Sequence, residues 1–98
     1  MKTYDEFVIL SSPAQVIASA ANLIAQNVPQ GSHLNRRKDG ADAKGKWVHF
    51  KSDYGLFHNC EVMVKAVRCQ NQAGTAVTIS GCECEKMQKL YRKLRDDL

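Results

Sequence analysis

The chain has 98 residues, of which 44% are hydrophobic and 24% are charged, and its net charge is +4. This composition is typical of a globular protein, and the length supports one core, so we predict a single domain over residues 1–98 and exclude a disordered chain. The first ten residues carry two acids where a signal peptide has positive charge, and no apolar stretch is long enough to span a membrane. We therefore expect a cytoplasmic protein that does not engage a membrane.

Residues 3–10 are compatible with two secondary structures. The unbroken run Phe7-Val8-Ile9-Leu10 is rich in β-prone side chains and favours a buried strand. Thr3 and Glu6 have the spacing of a helix capping box, which favours a short helix. We favour the strand.

A helix is predicted to begin after Ser12. Ser12 can cap the helix, Pro13 suits its first position, and Gln15 completes a capping box. The helix should run to about Asn27. Its apolar face is formed by Ile17, Ala20, Ala21, Ile24 and Val28. We expect this face to pack on a sheet.

Residues 30–46 are predicted to form a mobile basic loop, because the segment contains three glycines, few apolar residues and dense charge. A short strand should follow at 47–50, with Val48 and Phe50 on one face and Trp47 and His49 on the other. A turn is expected at 52–55.

Residues 60–82 are predicted to form a β-hairpin. Apolar and polar side chains alternate on both sides of a turn at 71–74, where Asn and Gly tolerate the tight backbone. A turn at that place puts Ala66 opposite Ile79. A one-residue slip would scatter the apolar side chains over both faces, so the pattern fixes which face is buried.

The C-terminal residues 83–95 are predicted to form an amphipathic helix whose apolar side chains recur at helical spacing. These side chains are Met87, Leu90, Tyr91, Leu94 and Leu98. The predicted fold is therefore α+β. It has an antiparallel sheet of three or four strands, a packed N-terminal helix and a closing C-terminal helix, in the order β-α-β-β-β-α. Unpaired edge strands in so small a sheet also favour a homodimer.

Basic residues concentrate at 36–51, where six Lys or Arg stand against two Asp. Such a segment can follow phosphates by charge, and neighbouring Trp47, Tyr54 and Phe57 could stack on bases. The alternative is a solvated loop. The residues predicted to contact nucleic acid or an acidic partner are Arg36, Arg37, Lys38, Lys44, Lys46, Trp47 and Lys51, with Lys86, Lys89, Arg92 and Lys93 of the C-terminal helix.

The cysteines suggest a second kind of site. Candidate zinc ligands are His58, Cys60, Cys82 and Cys84, because thiolates and imidazoles are the ligands that zinc prefers. The expected hairpin register puts residues 58 and 60 on a different face from 82 and 84, so such a site would need a bulge, for which Gly81 is suited. The alternatives are buried thiols that behave as small hydrophobic groups, paired disulfides, or a redox role.

We derive three hypotheses for function from these patterns, and none of them is an enzyme, because no catalytic motif is present. The first is a small non-enzymatic module that contacts nucleic-acid phosphates through residues 36–51. The second is a protein-interaction inhibitor or regulator, of the phage or mobile-element accessory type, that occupies a host protein surface. The third is a zinc-stapled domain; in the other two, no cofactor is expected.

Overall fold

Five strands form one antiparallel sheet in a computed structural model, which describes residues 1–53 and 60–98. The elements in chain order are β1 (Lys2–Ile9), α1 (Pro13–Gln26), β2 (Arg36–Ala41), β3 (Gly45–Lys51), β4 (Glu61–Arg68), β5 (Thr75–Gly81), a 3₁₀ turn (Glu85–Met87) and α2 (Gln88–Asp97). Across the sheet the strands run in the order β1-β5-β4-β3-β2. The prediction of an α+β fold with an N-terminal and a C-terminal helix is confirmed.

The helix start predicted at Ser12 is confirmed in detail. The Ser12 hydroxyl oxygen accepts a hydrogen bond from the backbone N–H of Gln15 at 3.2 Å, and Pro13 is the first helical residue. The cap satisfies one of the N–H groups that a helix start leaves without an intrahelical partner.

Replacing Ser12 with alanine should lower the free energy of unfolding by about 1 kcal/mol, because that N–H loses its acceptor. Urea denaturation would measure the loss. Ser19→Ala is the matched control: Ser19 lies exposed inside the same helix, where alanine is the better helix former, so that change should be neutral or slightly stabilising. Equal destabilisation by both substitutions would contradict the capping role.

The sheet has five strands, where the sequence predicted three or four. The difference is β2, which lies within residues 30–46, where we expected a loop. β2 is an edge strand with mostly exposed side chains, so it carries no apolar alternation, and it pairs with β3 through its backbone. A short turn joins the two strands, in which Asp42 Oδ1 accepts the N–H groups of Lys44 and Gly45 at 2.9 and 3.0 Å.

The register of the β4–β5 hairpin differs from the prediction by two residues. Ala66 lies opposite Val77 rather than Ile79. The reason is that the last hydrogen bond before the turn is donated by the Cys69 N–H to the carbonyl of Gly74, at 3.0 Å. Gly74 adopts a φ of +117°, which suits glycine. A shift of two residues returns each side chain to the same face, so the predicted buried face is nevertheless correct.

Both α-helices pack on one face of the sheet. Residues from α1, β3, β4, β5 and α2 form a single core beneath them; those with no more than 1% exposure include Val16, Ala20, Ile24, Val48, Val62, Val64, Ala66, Val77, Ile79, Met87 and Leu94. No helix in the described residues covers the opposite face, which we call the open face. Within the same residues, neither helix has the length and apolar character needed to cross a membrane.

Candidate nucleic-acid interface and thiol cluster

The open face carries the side chains that alternate with the core residues along each strand. Residues paired across an antiparallel ladder share a face, so the pairings identify its members. On the half of the sheet made by β2, β3 and β4 they are Arg36, Lys38, Gly40, Gly45, Trp47, His49, Lys51, Glu61, Met63, Lys65 and Val67. Four of these are permanent cations and one is an acid.

A small basic pocket lies on the open face between β2 and β3. Its volume is about 160 Å³, and the described residues that line it are Arg36, Lys38, His49 and Lys51. Arg36 is directly opposite Lys51, and Lys38 is opposite His49. An acid adjoins the pocket: Glu61 Oε1 lies 3.1 Å from His49 Nε2. Cations therefore outnumber acids around this pocket.

Trp47 lies beside this pocket on the same face, with its indole resting across β2. The partner residue on β2 is Gly40, and a Cβ added there would overlap the indole ring. Glycine thus makes room for the ring, and Trp47 as a whole is partly exposed. Lys65 lies opposite Trp47 on β4 and is exposed. Lys65 was not among the predicted binding residues, although its alternation with the buried residues of β4 places it on this face.

Two of the predicted basic residues point to the helix-covered side instead. Arg37 donates to both carboxylate oxygens of Asp39, at 2.7 and 2.9 Å, and its guanidinium carbon lies 5.6 Å from the centre of the Phe50 ring. The hydrogen bond from Arg37 lowers the pKa of Asp39, so this pair is ionised and locally neutral. Lys46 is opposite Ala41 on the same side, and Lys44 lies in the β2–β3 turn.

The basic residues of the 3₁₀ turn and α2 form a separate surface. Lys86, Lys89, Arg92 and Lys93 line a groove of about 660 Å³ whose apolar wall is formed by Val28, Pro29 and Leu90. This groove lies in the helix layer, on the other side of the sheet from the basic pocket. The structure therefore does not bring the predicted basic residues together on one surface.

Three of the four cysteines converge at the end of the β4–β5 hairpin. The Sγ atoms of Cys60 and Cys84 are 3.9 Å apart, those of Cys82 and Cys84 are 2.6 Å apart, and all three lie within 4.8 Å of one another. Cys60 and Cys84 are buried and Cys82 is partly exposed. Cys69 lies at the other end of the hairpin, and His58 falls outside the described residues, as do Tyr54 and Phe57.

The cysteines meet without the bulge that the predicted register would have required. β5 ends at Gly81, and the Cys82 N–H still donates to the carbonyl of Glu61 at 3.2 Å. The chain then leaves the sheet and turns into the 3₁₀ segment, so strand alternation no longer determines where Cys84 points. Cys60 stands one residue before β4 begins, which brings it beside both.

The three thiols differ in their acidity. Burial raises the pKa of Cys84 to about 12, and burial also raises the pKa of Cys60. Burial opposes ionisation of Cys82 too, but hydrogen bonds from the Cys84 thiol, the Glu61 backbone and the Tyr91 hydroxyl lower its pKa overall. Cys82 is therefore the first of the three to become a thiolate.

Comparison with known proteins found no matching family model, no matching curated protein and no matching solved structure. A function for this chain has to be inferred from the chemistry of its own surfaces.

Proposed function

We propose that this chain is a non-enzymatic module that binds single-stranded nucleic acid on the open face of its sheet. The observation that carries the proposal is the pocket between β2 and β3 that is lined by Arg36, Lys38, His49 and Lys51. Phosphate oxygens are the complementary ligand for such a group of donors, since guanidinium and ammonium groups bind them through charge-assisted hydrogen bonds.

The arrangement of charges on β2 and β3 supports a polyanionic ligand. Arg36 and Lys51 lie directly opposite each other, and like charges in that position destabilise a sheet. Both side chains are exposed. A bound phosphate between them would replace the repulsion by two attractions. Lys65 extends the positive field onto β4, beside Trp47.

Trp47 favours single strands over duplexes. Alternate residues along a strand are about 7 Å apart, so Trp47, His49 and Lys51 form a row that reaches from the indole to the basic pocket. Proteins that bind single strands combine a basic surface with aromatic rings on which unpaired bases stack. In a duplex the bases are already stacked on one another, and the indole would find no free base.

The test uses Trp47 as its own reporter, because it is the single tryptophan in the chain. A poly-thymidine oligonucleotide is titrated into the protein at several salt concentrations, and quenching of tryptophan fluorescence gives the affinity. We expect quenching and a linear fall of log affinity with log salt. The triple variant Arg36→Gln/Lys38→Gln/Lys51→Gln should reduce the salt slope by about 2, at about 0.7 per phosphate contact.

The matched control removes the same charges from the other surface. Lys86→Gln/Lys89→Gln/Arg92→Gln also replaces two lysines and one arginine, all exposed, but in the helix layer. It should retain the affinity and the salt slope of the unmodified chain. Equal losses in the two triple variants would mean that net charge alone drives binding. The proposal would be wrong if the oligonucleotide did not bind, or bound without changing Trp47 fluorescence.

A second candidate function is occupation of an acidic protein surface, and the groove beside α2 is the observation that favours it. Its apolar wall includes the half-exposed Val28. The groove is also lined by four basic side chains from the 3₁₀ turn and α2 and by one acid, Asp96. A groove that combines an apolar wall with an excess of basic side chains suits a partner that presents carboxylates beside an apolar residue. Such a complex should survive nuclease treatment and be lost in the α2 triple variant, while the open-face triple variant should retain it.

A further inference from the structure

The thiol cluster carries an inference that is independent of the open face. Its three sulfur atoms come from positions that are separated in the chain: Cys60 before β4, and Cys82 and Cys84 after β5. Side chains that serve only as small apolar filling have no reason to direct their sulfur atoms at one point. The fourth cysteine, Cys69, is partly exposed at the other end of the hairpin and is not part of the cluster.

We propose that Cys60, Cys82 and Cys84 bind a zinc ion that fastens the end of the hairpin to the start of the C-terminal helix. Thiolate sulfurs are soft ligands that select zinc over magnesium or calcium. With Zn–S bonds of about 2.3 Å, the sulfurs of a tetrahedral site lie about 3.8 Å apart. The observed Cys60–Cys84 separation of 3.9 Å matches that edge.

The Cys82 side chain has to turn away from Cys84 to complete the site, because their sulfurs are closer than a tetrahedral edge. Space for this movement exists, since Cys82 is partly exposed and lines a shallow surface pocket with Thr3, Glu83 and Tyr91. Each thiol gives up its proton when it binds the ion. Three thiolates leave one tetrahedral position, which water or a further donor can fill.

Tyr91 supplies the outer contact that such a site needs. Its hydroxyl lies 2.7 Å from the carbonyl oxygen of Cys82 and 3.6 Å from Cys82 Sγ, so it orients this residue by hydrogen bonding. Groups that orient metal ligands in this way affect both ligand geometry and affinity. Tyr91 belongs to α2 and Cys60 adjoins β4, so the ion would join the helix layer to the sheet at this end.

The experiment measures zinc by elemental analysis in the full chain, purified under reducing conditions without chelators. We expect one zinc per chain, and loss of stoichiometric zinc in Cys60→Ser, Cys82→Ser and Cys84→Ser. Cys69→Ser is the control and should keep its zinc, because Cys69 lies at the far end of the hairpin. Zinc that is retained equally by all four variants would overturn the proposal, as would a metal-free chain that does not take up added zinc.

A second measurement does not depend on variants that fold. The unmodified chain is stripped with a chelator and titrated with Co²⁺, which takes the place of zinc and reports thiolate ligands by intense charge-transfer absorption. We expect these bands to appear, to saturate at one Co²⁺ per chain, and to vanish on addition of zinc. The melting temperature should rise with zinc concentration, because zinc binds the folded state. Absence of thiolate bands, or a Cys82–Cys84 disulfide in the reduced preparation, would overturn the proposal.

Discussion

Replacing Leu94 with alanine should lower the free energy of unfolding by about 3 kcal/mol, in the lower half of the range for deleting a buried leucine side chain. Leu94 has 0% exposure and is part of the core beneath α2. The substitution removes apolar surface from the core and leaves a cavity that the surrounding side chains fill only in part. A domain of this size is stabilised by about 5–15 kcal/mol in total, so the loss is a large fraction of that stability.

The matched control is the same substitution at Leu10, which is 85% exposed. Leu10→Ala removes the same atoms from water-facing surface and should change the stability by less than about 0.5 kcal/mol. Urea denaturation of both variants, with zinc at a fixed concentration, measures the difference. If Leu94→Ala cost no more than Leu10→Ala, α2 would be peripheral to the core, and a zinc ion at its start would then stabilise little.

Apolar periodicity made most of the fold predictable. α1, the β4–β5 hairpin and α2 each bury one face, so each leaves a repeat in the sequence that matches its geometry. The cap at Ser12 fixed where α1 begins. The same alternation predicted that Trp47 and His49 lie on one face of the sheet and Val48 and Phe50 on the other, and the structure confirms this.

Features that depend on backbone pairing were not predictable. β2 exposes nearly all its side chains, so its sequence carries only charge, and charge is equally typical of a loop. The hairpin register depends on where the Cys69–Gly74 hydrogen bond closes the connection, and either of two closures keeps the same face buried. Arg36 and Lys38 lie on the open face, whereas Arg37 and Lys46 lie on the helix-covered side. The sequence could not predict this division, because it depends on knowing that β2 is a strand.

The thiol cluster shows a different limit. Strand alternation predicted that Cys60 would be on a different face from Cys82 and Cys84, and that rule applies only while the chain remains in the sheet. β5 ends at Gly81, one residue before Cys82. An error of one or two residues in where a strand is predicted to end is enough to change which cysteines are expected to meet.

Replacing Gly81 with valine should destabilise the protein by about 3 kcal/mol, the upper part of the range for overpacking a close contact. A Cβ at this position would overlap the Tyr91 hydroxyl and lie 2.6 Å from the carbonyl oxygen of Glu61. Tyr91 is 2% exposed and its hydroxyl donates to backbone carbonyls at this end of the hairpin. Valine would displace the ring and leave those carbonyls without their donor.

Ala76→Val is the matched control, because Ala76 lies in the same strand but on the open face, partly exposed between Val8 and Val67, and β-branching suits a strand. The free energy of unfolding of the Ala76→Val variant should stay within about 0.5 kcal/mol of that of the unmodified chain. Urea denaturation gives both values, and competition with a chromophoric chelator gives the zinc affinity of each variant. Because Tyr91 orients Cys82, Gly81→Val should also weaken zinc binding, whereas Ala76→Val should not. A Gly81→Val protein with unchanged stability would show that Tyr91 can move without cost. The Tyr91 hydroxyl could then not be what orients Cys82.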